Sequence, residues 1–241
     1  MKDNGLLVQY FNANTPADQT LWAKAAKDAA TLKKLGATAV WFPPATKGAA
    51  GKDDRGYAPY DLYDLGEFNQ KGSVGTRYGT KKEYLEAIDA MKAQGINVYA
   101  DIAVRQKLGA DSVEKVTAAD FNAKDIPQMI GNKKIVGALS KFTFPGRKSK
   151  YSKFKWNWNH FAGIDWQQDD FKRRVCELSG MTETEAEKKY KLSKYDYIIG
   201  SELDLYNQEV YDELMAWAKW YEDVTGVDGF RFQEAEKIPG W

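Results

Sequence analysis

Residues 226–241 read GVDGFRFQEAEKIPGW, and the organisation of the chain follows from how this stretch begins. Val227 and Gly229 to Phe232 form an apolar run broken only by Arg231, the pattern of a buried strand that emerges at a polar end, Gln233 to Lys237. Gly226 separates it from a helical pattern over Gln208 to Thr225, in which Val210, Leu214, Trp217, Tyr221 and Val224 fall on one side and Asn207 is placed to cap. A helix that stops at glycine and feeds a strand is the repeating unit of a parallel α/β sheet.

The same rhythm fills residues 1–104. Leu6 to Phe11 predicts strand one. Thr20 is placed to cap a helix whose stripe is Leu21, Trp22, Ala25, Ala26, Ala29 and Leu32, ended by Gly36. Ala37 to Phe42 predicts strand two. After a long loop, Thr80 and Glu83 have the spacing of a capping box, Tyr84, Leu85, Ile88 and Met91 line one helix face, and Gly95 ends it before strand three, Ile96 to Val104. Residues 105–206 interrupt this alternation with a polar, Lys-rich and aromatic-rich segment that lacks a clean helical period, and read as an inserted subdomain. Residues 207–241 then resume with the third helix and strand four. A complete eight-unit barrel takes about 250 residues, roughly 31 per unit, so the remainder after an insertion of about 100 has room for four units, half a (β/α)8 barrel. Strands one and four of such a half would expose parallel edges, which calls for self-association, a complementing chain or a folded-back tail to cover them.

Composition bounds the function classes. The 241 residues are 43% hydrophobic and 14% aromatic, enough for a substantial core, and 35 basic against 34 acidic residues give a net charge of +1, so no long-range field favours nucleic acid or an acidic membrane surface. No run approaches a membrane span, and MKDNGLLVQYF has no basic stretch followed by an apolar one, which leaves a cytoplasmic protein or an already processed secreted form. Cys176 is the sole cysteine and reads as a small buried hydrophobe.

Several segments in order carry a resemblance: Leu7 to Phe11, Ala37 to Ala45, Gly56 to Phe68, Tyr78 to Lys81, Phe144 to Arg147, Phe154 to Trp158, and Gly229-Phe230-Arg231. Together they are similar to the liquefying bacterial type of the α-amylase family of glycoside hydrolases, whose barrel also carries a long insertion after strand three. That resemblance implies retaining hydrolysis of internal α-1,4 links in starch and glycogen by an Asp nucleophile, a Glu acid and base, and a second Asp. Two carboxylates are needed because one protonates the leaving oxygen while the other traps the oxocarbenium-like carbon.

The nucleophile's place falls on Gln233, a neutral carboxamide that neither stabilises the developing positive charge nor forms the ester intermediate. The acid and the second Asp belong to strands five and seven, which this sequence does not contain. No catalytic set is therefore intact, and the expected function is an α-amylase-like protein, non-catalytic on its own, that recognises α-glucan or scaffolds around it. The alternative is half of an α-1,4-glucan hydrolase completed by another chain or by self-association. Glu234 follows Gln233 on the strand and is expected to point away, while Glu236 lies in the loop beyond and could reach back.

Around that position the resemblance implies a supporting pair, Asp101 and Arg231, and substrate contacts at Tyr57, Gln106, Arg231 and Lys237. Four of the positions that hold substrate in the family have changed chemistry: its Asn-His is here Arg105-Gln106, and its Lys-His is Glu236-Lys237. The implied calcium site is degenerate in the same way. Asp196, Glu202 and Asp204 remain as oxygen donors, but a ligand Asn is Arg105, a ligand Asp is Ala162, and the third Asp of an Asp-x-Asp-x-Asp run is Tyr206. The expectation is no cofactor, with calcium the one that the resemblance makes possible, and with the Arg105 guanidinium in the place of the ion and paired with Asp196 or Glu202. His160, the one histidine, is expected to pack as a hydrogen-bonded structural residue.

Overall fold

A computed structural model describes residues 5–121, 129–167, 172–177, 200–235 and 238. Asp196, Glu236, Lys237 and the Cys176 side chain lie outside the described residues. The chain is of the α/β class and divides into two compact units. One comprises Met1–Ala103, Pro145–Ser152 and Met215–Gln233, the other Val104–Phe144, Lys153–Leu214 and Glu234–Trp241.

The first unit is a parallel sheet with helices between its strands. In chain order these are β1 (Leu7–Gln9), α1 (Leu21–Lys34), β2 (Ala39–Phe42), a short hairpin of β3 (Lys47–Gly48) and β4 (Pro59–Asp61), α2 (Lys81–Ala93) and β5 (Asn97–Ile102). The last elements are helix α3 (Gln208–Thr225) and β12 (Gly229–Phe232). The sheet order is β1-β2-β5-β12, so each parallel strand is added beside its predecessor. The register aligns Gln9 with Trp41, Trp41 with Tyr99, and Asp101 with Arg231.

Strand alternation sorts the side chains by face. Val40, Phe42, Val98 and Ala100 are fully buried against helix residues. There the Trp22 ring of α1 lies 5.3 Å from Phe42 and 4.7 Å from Tyr84 of α2, centroid to centroid. Phe230 meets Trp217 and Tyr221 of α3. The hydroxyls of Tyr84 and Tyr221, both buried, lie 2.8 Å apart, and the Trp217 indole N–H donates to Leu62 O at 2.9 Å. Leu7 and Phe232, on the two outer strands, are 56% and 38% exposed.

The helix starts are set by local chemistry. Thr80 Oγ1 and Glu83 form the capping box of α2, and Asn207 Oδ1 accepts the Glu209 N–H at 2.9 Å at the head of α3. At α1 the structure differs: Thr20 makes no side-chain cap bond, its backbone lying in the helical region (φ −109°, ψ −7°) rather than the extended one an N-cap takes, while its hydroxyl and N–H both donate to Asp18 Oδ1, at 2.8 and 3.1 Å.

The loop between β2 and α2 is organised by buried charge. Lys47 has no solvent exposure, and its ammonium donates to the carbonyls of Phe68 (3.2 Å), Ser73 (2.7 Å), Val74 (2.6 Å) and Gly75 (3.4 Å), with Asp64 Oδ2 at 3.6 Å. Gln70 Nε2 bridges Asp64 and Asp61, and Asp61 Oδ2 also accepts from Arg147 Nε at 2.7 Å. Every one of these groups would cost several kcal/mol if buried alone.

The second unit is built on antiparallel strands: β6 (Gln106–Lys107), β7 (Ser112–Phe121), β8 (Met129–Lys141), β9 (Phe161–Gln167), β10 (Lys172–Glu177) and β11 (Ser201–Leu203). Their order is β10-β7-β8-β9-β11-β6, with β10 also pairing β9. Val116, Val136, Ala138, Phe142, Phe161 and Ala162 are buried in it. Lys107 is buried too, its ammonium 5.0 Å from the Trp156 ring centroid and within 5.7 Å of Phe142 and Phe144. His160 is 3% exposed. Its Nδ1 accepts the Asn157 N–H and its Nε2 donates to Glu209 Oε2, each at 3.0 Å, which fixes the neutral tautomer. No helix among the described residues is long and apolar enough to cross a membrane.

Two outcomes follow from these buried groups. Lys47→Met leaves the Asp64 carboxylate and the carbonyls of 68–75 facing a methyl group, and should lower unfolding free energy by about 3–5 kcal/mol in urea titrations. Burial holds the His160 pKa below its usual 6.5, with Glu209 and Glu114 pulling weakly the other way. The unfolded chain therefore takes up the proton first, so this residue's contribution to stability is lost as pH falls below about 6.5. NMR of the single imidazole should show a midpoint under that value, moved further down by Glu209→Gln.

Candidate functional site

The sheet face opposite the helices carries the residues that sequence reasoning singled out. Asp101 sits near the end of β5 with no solvent exposure. Arg231 is its direct neighbour in the β5/β12 ladder, and its Nη1 donates to Asp101 Oδ1 at 3.1 Å. Tyr57, from the loop after β3, donates its hydroxyl proton to Asp101 Oδ2 at 2.7 Å. Burial, reinforced by that bond to Asp101, pushes the Tyr57 pKa well above the ordinary phenol range, so the hydroxyl remains a donor.

Local backbone chemistry delivers Tyr57 there. Asp54 Oδ1 accepts the Gly56 N–H at 2.7 Å, turning the chain tightly. Gly56 has φ +89°, and a Cβ on it would come within 2.7 Å of Pro44. Below the cluster lies a contact that sequence reasoning missed: the Arg231 guanidinium lies 4.8 Å from the Trp41 ring centroid. The alternation of Ala39 to Phe42 was the available signal, since Val40 and Phe42 are buried while Trp41 is only partly so.

Gln233 is the first residue of the turn after β12, its N–H donating to Ile102 O at 2.9 Å. Glu234 does not continue the strand. β12 ends at Phe232, and Glu234 has φ +50°, a left-handed turn in which alternation no longer fixes direction. Its carboxylate instead reaches Arg105 Nη1 at 2.5 Å.

Arg105 belongs to the second unit, as do Glu202, Asp204 and Gln106. Its side chain is 7% exposed, with Nε 3.4 Å from Glu202 Oε1, while its carbonyl accepts the Leu203 N–H at 2.8 Å. Gln106 is half-buried on β6, opposite Glu202 in the ladder. Asp204 Oδ1 accepts the Tyr206 N–H at 3.1 Å, Tyr206 is 45% exposed, and Ala162 is fully buried on β9. Calcium wants six to eight oxygens. Here a guanidinium lies against the carboxylates that would supply them, and even at an effective dielectric of about 20 two like unit charges 4 Å apart repel by about 4 kcal/mol. The described residues of this cluster do not fit a divalent ion, and among the described residues no group of three or more His, Cys, Asp or Glu is placed to hold one.

No protein-family model matches the chain. Individual relatives do. It is 45% identical over 244 residues to an α-amylase of Geobacillus stearothermophilus, across 99% of this chain and 44% of that protein. It is 41% identical to a glucan 1,4-alpha-maltohexaosidase of Bacillus sp. (strain 707), across 98% of this chain and 46% of the relative. The cytoplasmic α-amylase of Escherichia coli (strain K12) is 37% identical, across 99% and 49% respectively. The chain thus spans about half the length of the curated relatives it matches. Among solved structures, an Anoxybacillus α-amylase superposes with a TM-score of 0.53 at 15% identity, over 98% of this chain and 41% of that one, a likeness of fold. By sequence, the chain matches the N-terminal half of liquefying bacterial α-amylases, proteins about twice its length.

Proposed function

We propose that the chain is a non-hydrolytic α-amylase-family module that keeps a surface for α-glucan. Its architecture is read as four βα units, half of a (β/α)8 barrel, with the antiparallel unit inserted after the third strand. The observation that carries this reading is that Asp101 is buried and buttressed by both Tyr57 and Arg231, while the position two residues on from Arg231 holds a carboxamide, Gln233. Retaining hydrolysis needs two carboxylates in defined places. A phenol ring held by its hydroxyl, a guanidinium with 47% side-chain exposure and the Trp41 ring beneath it can bind a polyol without cleaving it.

A second reading rests on the outer strands. The exposure of Leu7 and Phe232 suits a complementing chain or a second copy that closes the sheet into a full hydrolase. A second copy would repeat Gln233 and add no carboxylate in its place. A complementing chain would still meet Gln233.

Calorimetric titration with maltoheptaose tests the binding function. Heat of binding is expected, with affinity weakened by up to about tenfold in Tyr57→Phe, because the ring loses the bond to Asp101, worth about 1.5 kcal/mol, that holds it in place for the ligand. Absence of heat in the unaltered protein ends the reading. Gln233→Asp should leave cleavage of an activated maltooligosaccharide at background, since one carboxylate supplies only half the chemistry. Turnover by that variant, or a dimer mass accompanied by turnover, favours the second reading.

A further inference from the structure

The Arg105 cluster bears on how the second unit is held together, independently of any glucan binding. Arg105 is rooted at β6, where its carbonyl accepts from Leu203 of β11. Its side chain is 7% exposed, matching the 7% of Glu202, and the 41%-exposed Glu234 approaches Nη1 from the turn after β12. Three segments distant in sequence, 105, 202 and 234, thus meet around one positive charge. Two carboxylates brought this close repel each other and lose much of their hydration. Such a pair persists where a cation lies between or beside them. Here that cation is covalent.

We infer that the Arg105 guanidinium is the resident cation of the Glu202 and Glu234 carboxylates, standing where the family resemblance implies calcium, so that this unit is stabilised without a bound metal. A guanidinium carries a permanent charge that can lie against two carboxylates at once, here by ion-pair contacts at Nε and Nη1. Unlike a bound ion, it cannot be removed by a chelator. Glu234 does what no family-based expectation assigned to it: it supplies the second acidic arm, and its left-handed backbone turns the chain out of β12.

Thermal unfolding of the full chain in EDTA and in millimolar calcium chloride tests this. The unaltered protein should melt at the same temperature in both. Arg105→Asn should melt more than about 5 °C lower in EDTA. It should recover in calcium or in tens of millimolar guanidinium chloride, and Glu202→Gln added to it should erase the recovery. Three results overturn the inference: a calcium-dependent rise in the unaltered protein, an Arg105→Asn variant as stable as the parent in EDTA, or a loss that neither cation restores, which would make Arg105 a packing residue. If Arg105→Asn does not fold, calorimetry of the unaltered protein with calcium chloride decides. No heat supports the resident guanidinium, and micromolar affinity overturns it.

Discussion

A cation removed from water must be answered by oxygen or by an aromatic face, and in the first unit the loop from β2 to α2 takes its course from that requirement. The Lys47 ammonium draws four carbonyls from Phe68, Ser73, Val74 and Gly75 to one point, a set that no regular secondary structure would bring together. Asp64 balances the charge and uses its other oxygen to cap the N–H groups of Gly66, Glu67 and Phe68. Gln70 then ties Asp64 to Asp61, and Asp61 to Arg147. Replacing the whole network by well-packed apolar groups could be neutral, but removing one member strands the others. A long connection with only a short hairpin and one 3-10 turn of its own is tied together by this means, and from within it Tyr57 reaches Asp101.

The sheet explains why the chemistry of the site sits where it does. Strand alternation gives Val40, Phe42, Val98, Ala100 and Phe230 to the helices, which leaves Trp41, Tyr99, Asp101 and Arg231 on the other face in adjacent ladder positions. The ladder itself sets the Asp101–Arg231 approach. Tyr57 adds a donor on the second carboxylate oxygen, so both oxygens are satisfied while most of the guanidinium edge stays available. Gln233, just beyond this cluster in sequence, is held to Ile102 by its backbone N–H.

How much of this was legible in the sequence depended on whether the determining interaction was local. The α2 capping box needs only Thr80 and Glu83, three residues apart, and the helix stripes need only a period of 3.6; both were readable. The Thr20 cap failed because its backbone is helical rather than extended, which residue type alone does not reveal. The strands of the second unit were not named in advance: Ile135 is 68% exposed beside buried Val136, Gly137 and Ala138, so β8 does not alternate cleanly between apolar and polar. At the site, Gln233 and the pairing of Arg105 with Glu202 could be anticipated from residue types. The turn at Glu234 could not, since it depends on a contact between residues 105 and 234 that no spacing rule encodes.

The paired hydroxyls of Tyr84 and Tyr221 have an evolutionary consequence. Each buried oxygen is satisfied by the other, 2.8 Å away, one on α2 and one on α3. Loss of either hydroxyl alone leaves its partner buried without a bond, at a cost of about 1–3 kcal/mol, whereas loss of both can be nearly neutral. Two positions 137 residues apart in sequence are thereby tied to a common fate. A lineage that passes from tyrosine to phenylalanine at one of them comes under pressure to do so at the other, and the shortest path between the two stable states crosses the least stable one.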